Sequence, residues 1–147
     1  MAGRLAALPA LRRARIDLRG DLGAGKTTWV RHLLRALGVT GRIKSPSYAI
    51  VEPYALPADA LGATTASDAW HFDFYRFGDP QEWEDAGFRE LFATPGLKLV
   101  EWPERIAGLT GPADLRLTLE ARLDGSRAVQ IDAATPLGVE LLQALRP

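Results

Sequence analysis

The sequence predicts an α/β fold built on a mainly parallel, mixed β-sheet. Short apolar segments typical of strands alternate with segments of helical periodicity, an order that favours parallel strands joined by helices. Near the C-terminus, two strand-like segments flank Asp124-Gly125, a dipeptide typical of a tight hairpin turn. The hairpin makes the predicted sheet mixed. The length of 147 residues corresponds to about one domain, which we assign to residues 1–147.

A glycine-rich loop at residues 20–25 separates the first predicted strand from the first long helix. The strand is predicted over 14–18. The helix is predicted over 26–37 because apolar residues recur there at helical spacing, namely Val30, Leu33, Leu34 and Leu37. Gly38 stands where the C-terminus of a helix favours a residue in the left-handed conformation.

The remaining elements are predicted from similar local signals. Pro, Gly and small polar residues make 55–69 a predicted surface connection. Asp79-Pro80 is a typical helix start, and the helix that follows is expected to break near Gly87. Its expected buried residues are Trp83, Phe88, Leu91 and Phe92. The other predicted helices are a short one within 5–11, ended near Pro9, and a closing one over 137–145. The other predicted strands are 48–53, 69–75, 97–100, 115–123 and 127–133.

Charge and cysteine content exclude several classes of function. Lys+Arg and Asp+Glu both number 18, so the chain lacks the basic excess typical of proteins that wrap nucleic acid. There are no cysteines, which excludes disulfides, thiolate metal sites and cysteine nucleophiles. The apolar run at 5–11 is too short for a bilayer, and arginines follow it rather than precede it. We therefore expect no membrane contact, no DNA binding and a cytoplasmic location.

One motif matches the phosphate-binding loop pattern in full, and it reads Gly20-Asp21-Leu22-Gly23-Ala24-Gly25-Lys26-Thr27. The loop follows a predicted strand and opens a helix, the context in which backbone amides surround an anion. Gly23 and Gly25 allow the backbone to approach phosphate oxygens closely. Lys26 is expected to reach the β- and γ-phosphates, Thr27 to ligate Mg²⁺ and Thr28 to bond the α-phosphate. The alternative is a glycine turn followed by Lys and Thr by chance.

Two carboxylates follow strand-like segments, at the edge of the sheet where open α/β folds bind their ligands. Asp73 stands late in its predicted strand, and Glu101 directly follows another. A carboxylate that ends an apolar strand is costly to bury unless it meets a cation or donors, and Mg²⁺ is such a cation. The alternative is a carboxylate in solvent or one paired with Arg76 or Arg105. Trp102, beside Glu101, is expected near the nucleotide.

Four sequence blocks in series resemble one known family. They are the phosphate-binding loop extended by Thr28, Lys44-Ser45-Pro46-Ser47-Tyr48, His71-Phe72-Asp73-Phe74-Tyr75-Arg76 and Glu101-Trp102-Pro103-Glu104-Arg105. Over about residues 18–105 they resemble TsaE, the bacterial ATPase family of tRNA threonylcarbamoyladenosine biosynthesis. The resemblance implies weak ATP hydrolysis that is stimulated by partners of the TsaB and TsaD families. In that family TsaD modifies adenosine 37 of tRNA, so contact with tRNA is expected only through the complex.

The resemblance also implies roles for individual residues. The residues that match family positions for phosphates and metal are Lys26, Thr27 and Thr28. Asp73 resembles the family's Walker-B-like acid, and Glu101 resembles its second acid near Mg²⁺ and the γ-phosphate. Ser47 falls on a usual threonine of a switch-like loop; it keeps the hydroxyl and loses the methyl group that stiffens the side chain. Trp102 matches the family tryptophan beside the nucleotide.

The sequence thus predicts a monomeric, three-layer P-loop NTPase-like domain that binds ATP and Mg²⁺ and hydrolyses ATP slowly. The predicted nucleotide-binding residues are Asp21, Leu22, Gly23, Ala24, Gly25, Lys26, Thr27, Thr28 and Trp102. The predicted metal ligands are Thr27, Asp73 and Glu101. The predicted catalytic residues are Lys26, Ser47, Asp73 and Glu101, with either Ser47 or Glu101 positioning the attacking water. His71 is given a structural role. The alternatives are a small-molecule kinase and a non-catalytic module that binds nucleotide as a structural ligand.

Overall fold

A six-stranded mixed sheet forms the centre of the protein. The computed structural model describes residues 1–46, 49–58 and 66–147. The strands are β1 (Arg15–Arg19), β2 (Val51–Leu56), β3 (Ser67–Asp73), β4 (Leu97–Glu101), β5 (Leu115–Ala121) and β6 (Arg127–Ala133). Their order in the sheet is β2-β3-β4-β1-β5-β6. The four inner strands pair in parallel, and β2 and β6 pair antiparallel at the two edges. The predicted mainly parallel sheet with a C-terminal hairpin is confirmed.

Helices pack on both faces of this sheet. The α-helices are α1 (Ala2–Ala6), α2 (Lys26–Ala36), α3 (Pro80–Asp85), α4 (Phe88–Ala93) and α5 (Pro136–Leu145). Side chains of α1, α2 and α5 belong to one apolar cluster, and those of α3 and α4 to a second cluster rich in aromatic rings. The consecutive residues Leu99 and Val100 of β4 belong to different clusters, because successive side chains of a strand point to opposite faces. The predicted three-layer α/β architecture is therefore confirmed.

The register of the parallel strands brings three strand ends together. Leu18 of β1 pairs with Glu101 of β4, and Asp73 of β3 pairs with Glu101 from the other side. Paired residues of parallel strands point to the same face, which here is the face covered by α2. Since α2 begins at Lys26, after the loop that leaves β1, both acids lie beside that loop.

Two predicted elements are displaced by about three residues or more, whereas the strands predicted over 69–75 and 115–123 lie at Ser67–Asp73 and Leu115–Ala121, within two residues of their predicted bounds. The strand predicted over 48–53 lies at Val51–Leu56, where it pairs antiparallel with β3 and shortens the connection predicted over 55–69. Residues 47–48 and 59–65 are outside the described residues. The helix predicted within 5–11 is α1 at Ala2–Ala6, followed by a 3₁₀ helix at Pro9–Arg13. Pro9 begins that helix rather than ending one, because proline has no N–H to satisfy in a first turn.

The helical region after β3 agrees with its prediction. The side chain of Asp79 caps α3 by accepting a hydrogen bond from the N–H of Gln81 at 2.9 Å. Gly87, in the left-handed conformation, separates α3 from α4. Trp83 and Phe88 are buried in the aromatic cluster, against which Leu91 and Phe92 also pack. In the described ranges no helix is long and apolar enough to cross a membrane.

Gly138 of α5 packs against the backbone of Asp114, the residue directly before β5. The Thr135 hydroxyl accepts a hydrogen bond from the Gly138 N–H at 3.0 Å and donates one to Asp114 Oδ1 at 2.6 Å. Asp114 Oδ2 accepts a further bond from the N–H of Arg15 at 2.7 Å, which connects β1 with the start of α5. A Cβ atom on Gly138 would overlap the backbone carbonyl of Asp114. The contact therefore requires glycine.

We predict that Gly138→Ala lowers the free energy of unfolding by about 1–3 kcal/mol, because backbone atoms must move to admit the methyl group. Gly3→Ala is the matched control, since a Cβ at Gly3 meets nothing within 4 Å. The control should change stability by less than about 1 kcal/mol. Urea unfolding curves of both variants measure the difference, and equal stabilities would contradict this account of α5 docking.

Candidate functional site

The loop between β1 and α2 has the backbone shape of a phosphate-binding loop. Gly23 and Gly25 have φ angles of 79° and 103°, in the left-handed region that favours glycine. Gly20 has a φ of 146°, and a Cβ there would lie 2.5 Å from the carbonyl oxygen of Leu119. The loop therefore needs the glycines that its motif supplies. It also leaves the first amides of α2 without a side-chain cap, so these donors are available to an anion.

Lys26 is held inside this loop. Its side chain is 5% exposed, and the ammonium donates to the carbonyl oxygens of Gly20 and, at 3.1 Å, of Asp21. The Nζ atom also lies 4.2 Å from the centre of the Trp102 ring. Burial lowers the pKa of Lys26, and the negative charge of Glu101 opposes that shift. The result is a positioned cation that carbonyls and a ring face hold in place.

Glu101 is the centre of a buried polar network. Its carboxylate is 3% exposed and accepts the hydroxyl of Thr27, whose Oγ1 lies 3.0 Å from each carboxylate oxygen. The Nε2 atom of His71 lies 2.5 Å from Glu101 Oε2, and His71 is fully buried. Thr27 comes from the start of α2, and the other two residues come from neighbouring parallel strands. Three elements thus fix one carboxylate at the mouth of the loop.

Asp73 lies next to Glu101 and is less buried. Its Oδ1 accepts the N–H of Tyr75 at 3.0 Å, and its Oδ2 lies 3.5 Å from the Ser45 hydroxyl. Burial raises the pKa of Asp73; the hydrogen bond from Tyr75 opposes this shift, and the charge of Glu101 adds to it. Two carboxylates on adjacent strands repel each other, so both would be stabilised as anions by a cation between them.

A cleft of about 340 Å³ contains almost all of the predicted nucleotide-binding residues. It is lined by Leu22, Gly23, Ala24, Gly25, Lys26, Thr27, Thr28, Ser45, Asp73, Tyr75, Glu101, Trp102 and Arg127. The backbone of Trp102 is left-handed, with a φ of 57°, and its ring lies 5.0 Å from that of Tyr75. This geometry places the indole over Lys26 at the wall of the cleft.

The structure places the residues predicted for the site as follows. It brings Lys26, Thr27, Asp73, Glu101 and Trp102 together around one cleft. Asp21 contributes its carbonyl oxygen to Lys26 rather than its side chain to the cleft. Ser47 is outside the described residues. In the described part of the chain neither acid forms an ion pair with an arginine, so the alternative pairing with Arg76 or Arg105 is not found.

Further residues reach the site that the sequence did not assign to it, among them Ser45, which lines the cleft. His71 shares a strand face with Asp73, two residues away, and this spacing is a signal that places it near the acids. Tyr75 follows Asp73 through a turn and lines the cleft. Arg127 begins β6, and its Nε donates to the carbonyl of Ala24 at 3.0 Å. No local signal identifies Arg127, because the contact depends on how the hairpin returns to the loop.

The sheet order and the glycine loop between β1 and α2 define a P-loop NTPase fold. The sequence matches the family model "Threonylcarbamoyl adenosine biosynthesis protein TsaE" over residues 1–129. It is 38% identical over 129 residues to the tRNA threonylcarbamoyladenosine biosynthesis protein TsaE of Haemophilus influenzae, covering 88% of this chain and 76% of that protein. The Bacillus subtilis protein of the same name is 33% identical over 121 residues, covering 80% and 68%. This chain belongs to the TsaE family.

A solved structure supports the fold independently. The crystal structure of YdiB from Bacillus subtilis superposes with a TM-score of 0.68 and covers 97% of this chain and 82% of that chain. The two sequences are 24% identical in this comparison, so the likeness concerns the fold alone. The family model and the curated relatives, which match most of the chain, confirm the family resemblance of the four sequence blocks.

We predict that His71→Leu lowers the free energy of unfolding by about 1–3 kcal/mol, because Glu101 then stays buried with the Thr27 hydroxyl but without its contact to the imidazole. His32→Leu is the matched control, since His32 is exposed on α2. It should shift stability by less than about 0.5 kcal/mol. Chemical denaturation of the two variants gives the comparison. A similar, small effect for both would show that the contact between His71 and Glu101 adds nothing to stability.

Proposed function

We propose that this chain binds ATP with Mg²⁺ and hydrolyses it within the biosynthesis of tRNA threonylcarbamoyladenosine. The observation that carries the proposal is the position of Thr27, whose hydroxyl lies 3.0 Å from both oxygens of Glu101 beside the buried Lys26. A hydroxyl, a carboxylate and an ammonium converge there at the start of a helix. This is the donor set that phosphoryl transfer in P-loop proteins requires. We also propose that residues 1–147 form one domain. We propose the cytoplasm as its location.

Phosphate binding follows from the loop. Residues 23–28 line the cleft, and the first N–H groups of α2 have no side-chain cap, so they can donate to phosphate oxygens. Lys26 now donates to loop carbonyls and would turn its ammonium to the β- and γ-phosphates. Since the ammonium is desolvated, its interaction with phosphate is stronger than it would be in water. The hydroxyl of Thr28 would bond the α-phosphate.

The residues at the mouth of the loop fit Mg²⁺. In the described ranges no group of three or more His, Cys, Asp or Glu side chains forms a metal site. Mg²⁺ bound with nucleotide needs only one or two protein carboxylates, because phosphates and water complete its octahedron. Thr27, Asp73 and Glu101 would hold it. When bound, the ion neutralises charge on the β- and γ-phosphates.

Water activation is assigned to Glu101 or to Ser47. Glu101 contacts Thr27 and His71, and these contacts orient its carboxylate at the mouth of the loop. Ser47 remains a proposal from the sequence. In either case the chain contributes positioning and electrostatic stabilisation rather than a covalent intermediate. Such a site hydrolyses ATP slowly until a further cation or a closed conformation is provided.

The partners in this proposal are proteins of the TsaB and TsaD families. Support comes from the names of the relatives, which place those proteins in tRNA threonylcarbamoyladenosine biosynthesis. The formal charge of zero gives no support for direct tRNA binding, so tRNA contact is assigned to the complex. An ATPase assay with and without purified TsaB and TsaD tests this. We expect slow turnover alone and faster turnover with both partners. An unchanged rate would contradict the partner assignment.

A small-molecule kinase is the second candidate, and one observation favours it. A neighbouring cleft of about 280 Å³ shares Ser45, Asp73 and Tyr75 with the first and includes Arg76. A phosphoryl acceptor would fit beside the γ-phosphate there. ATP turnover in the absence of any acceptor separates the two candidates, because a kinase transfers phosphate only when an acceptor is present.

We predict that Glu101→Gln lowers the turnover number for ATP on the order of 100-fold, because the amide can neither accept a proton nor carry charge. The dissociation constant for ATP should change by less than about threefold, since the loop amides and Lys26 remain. Glu104→Gln is the matched control, as Glu104 is exposed in the 3₁₀ helix at Pro103–Ile106. Steady-state kinetics and calorimetry measure both quantities. An unchanged rate in Glu101→Gln would remove Glu101 from the mechanism.

A further inference from the structure

Arg127 connects the C-terminal hairpin with the phosphate-binding loop. It is the first residue of β6, directly after the turn that joins β5 to β6. Its Nε donates to the carbonyl oxygen of Ala24 at 3.0 Å, and its Nη1 donates to that of Gly125 at 3.1 Å. A Cβ atom placed on Gly25 would lie 3.6 Å from the Arg127 Nε. The guanidinium therefore lies beside the residue that precedes α2, at the wall of the cleft.

The strand order shows on which side of the phosphate-binding loop Arg127 lies. β3 and β4, which carry Asp73 and Glu101, lie on one side of β1, and the β5–β6 hairpin lies on the other. The phosphate-binding loop leaves β1 between them. A nucleotide whose terminal phosphate meets Thr27 and Glu101 therefore extends its nucleoside end away from the acids. Arg127 is on the side of the loop opposite to the acids.

The hydrogen bonds of Arg127 position the guanidinium and leave part of it available. A guanidinium has five N–H donors in a rigid plane. Two backbone carbonyls, of Ala24 and Gly125, are well-placed acceptors for it, and that of Ser126 is 3.4 Å from Nη1. Among the described residues Nη2 has no hydrogen-bond partner, and the residue is exposed. Nη2 and the planar face thus remain accessible to a ligand in the cleft.

We propose that Arg127 is a nucleotide-binding residue that contacts the nucleoside end of ATP. Its N–H groups suit acceptor atoms of the ribose and the purine, and its plane suits stacking against the purine ring. This assignment rests on the proposed ATP function and deepens it. Arg127 binds and does not catalyse, because the reacting γ-phosphate lies on the other side of the loop. It contacts ATP and ADP alike, since both contain the nucleoside.

Calorimetry with three ligands tests the assignment. The ligands are ATP, ADP and inorganic tripolyphosphate, each with Mg²⁺, and the variants are Arg127→Ala and Arg127→Lys. We expect Arg127→Ala to raise the dissociation constants of ATP and ADP by a similar factor of about 10, the effect of one charge-assisted hydrogen bond. The dissociation constant of tripolyphosphate should change by less than about twofold, because that ligand has no nucleoside end. Arg127→Lys should lie between, since it keeps the charge and loses the planar fork.

Arg122→Ala is the matched control, because Arg122 is an exposed arginine of the same hairpin and does not line the cleft. It should leave all three dissociation constants unchanged. Equal losses for nucleotide and tripolyphosphate in Arg127→Ala, together with a lower melting temperature, would show that Arg127 only holds the loop, and would overturn the assignment. If Arg127→Ala left the affinity for ATP and ADP unchanged, the assignment would also be overturned, even if the turnover of ATP fell. A wild-type protein that binds tripolyphosphate but neither nucleotide overturns the ATP function itself.

Discussion

The parallel pairing of β4 between β1 and β3 is the constraint on which the rest of the site depends. It sets Leu18, Glu101 and Asp73 in one row, at the carboxyl ends of three adjacent strands. The chain leaves β1 through the glycine loop at this row, so the amides of the loop and the two acids face the same space. A shift of β4 by one residue would turn Glu101 to the opposite face, away from Thr27.

The polar groups in this row stabilise one another, and that explains how they can be buried. An isolated buried charge is costly, and removing one partner of a buried pair costs more than the pair contributes. Here Glu101 accepts from Thr27 and lies beside His71, and Lys26 donates to loop carbonyls and contacts the ring of Trp102. The site is therefore organised before any ligand binds. A triphosphate would replace carbonyl contacts of Lys26 with stronger ones to phosphate.

Local sequence signals predicted the elements whose conformation depends on neighbouring residues. They failed where pairing between distant segments sets the position of an element or a side chain. The glycine loop and α2 follow from the residues of the motif and from helical periodicity. Asp73 and Glu101 could be placed because each ends an apolar strand. The displacement of β2 could not be foreseen, because an edge strand takes its register from antiparallel pairing with β3. For the same reason Arg127 was missed: only the return of the hairpin brings it to the loop.

The central claim is that loop amides and Lys26 gather around the phosphates of a nucleotide. Calorimetric titration of the folded protein with ATP at saturating Mg²⁺, set beside the same titration of Lys26→Ala, tests it most directly. The account predicts saturable binding with one site in the wild type. It predicts a loss of at least about tenfold in affinity for the variant, since one charge-assisted interaction with phosphate is removed. No heat of binding for ATP or ADP in the wild type, or equal affinities in the two proteins, would contradict it.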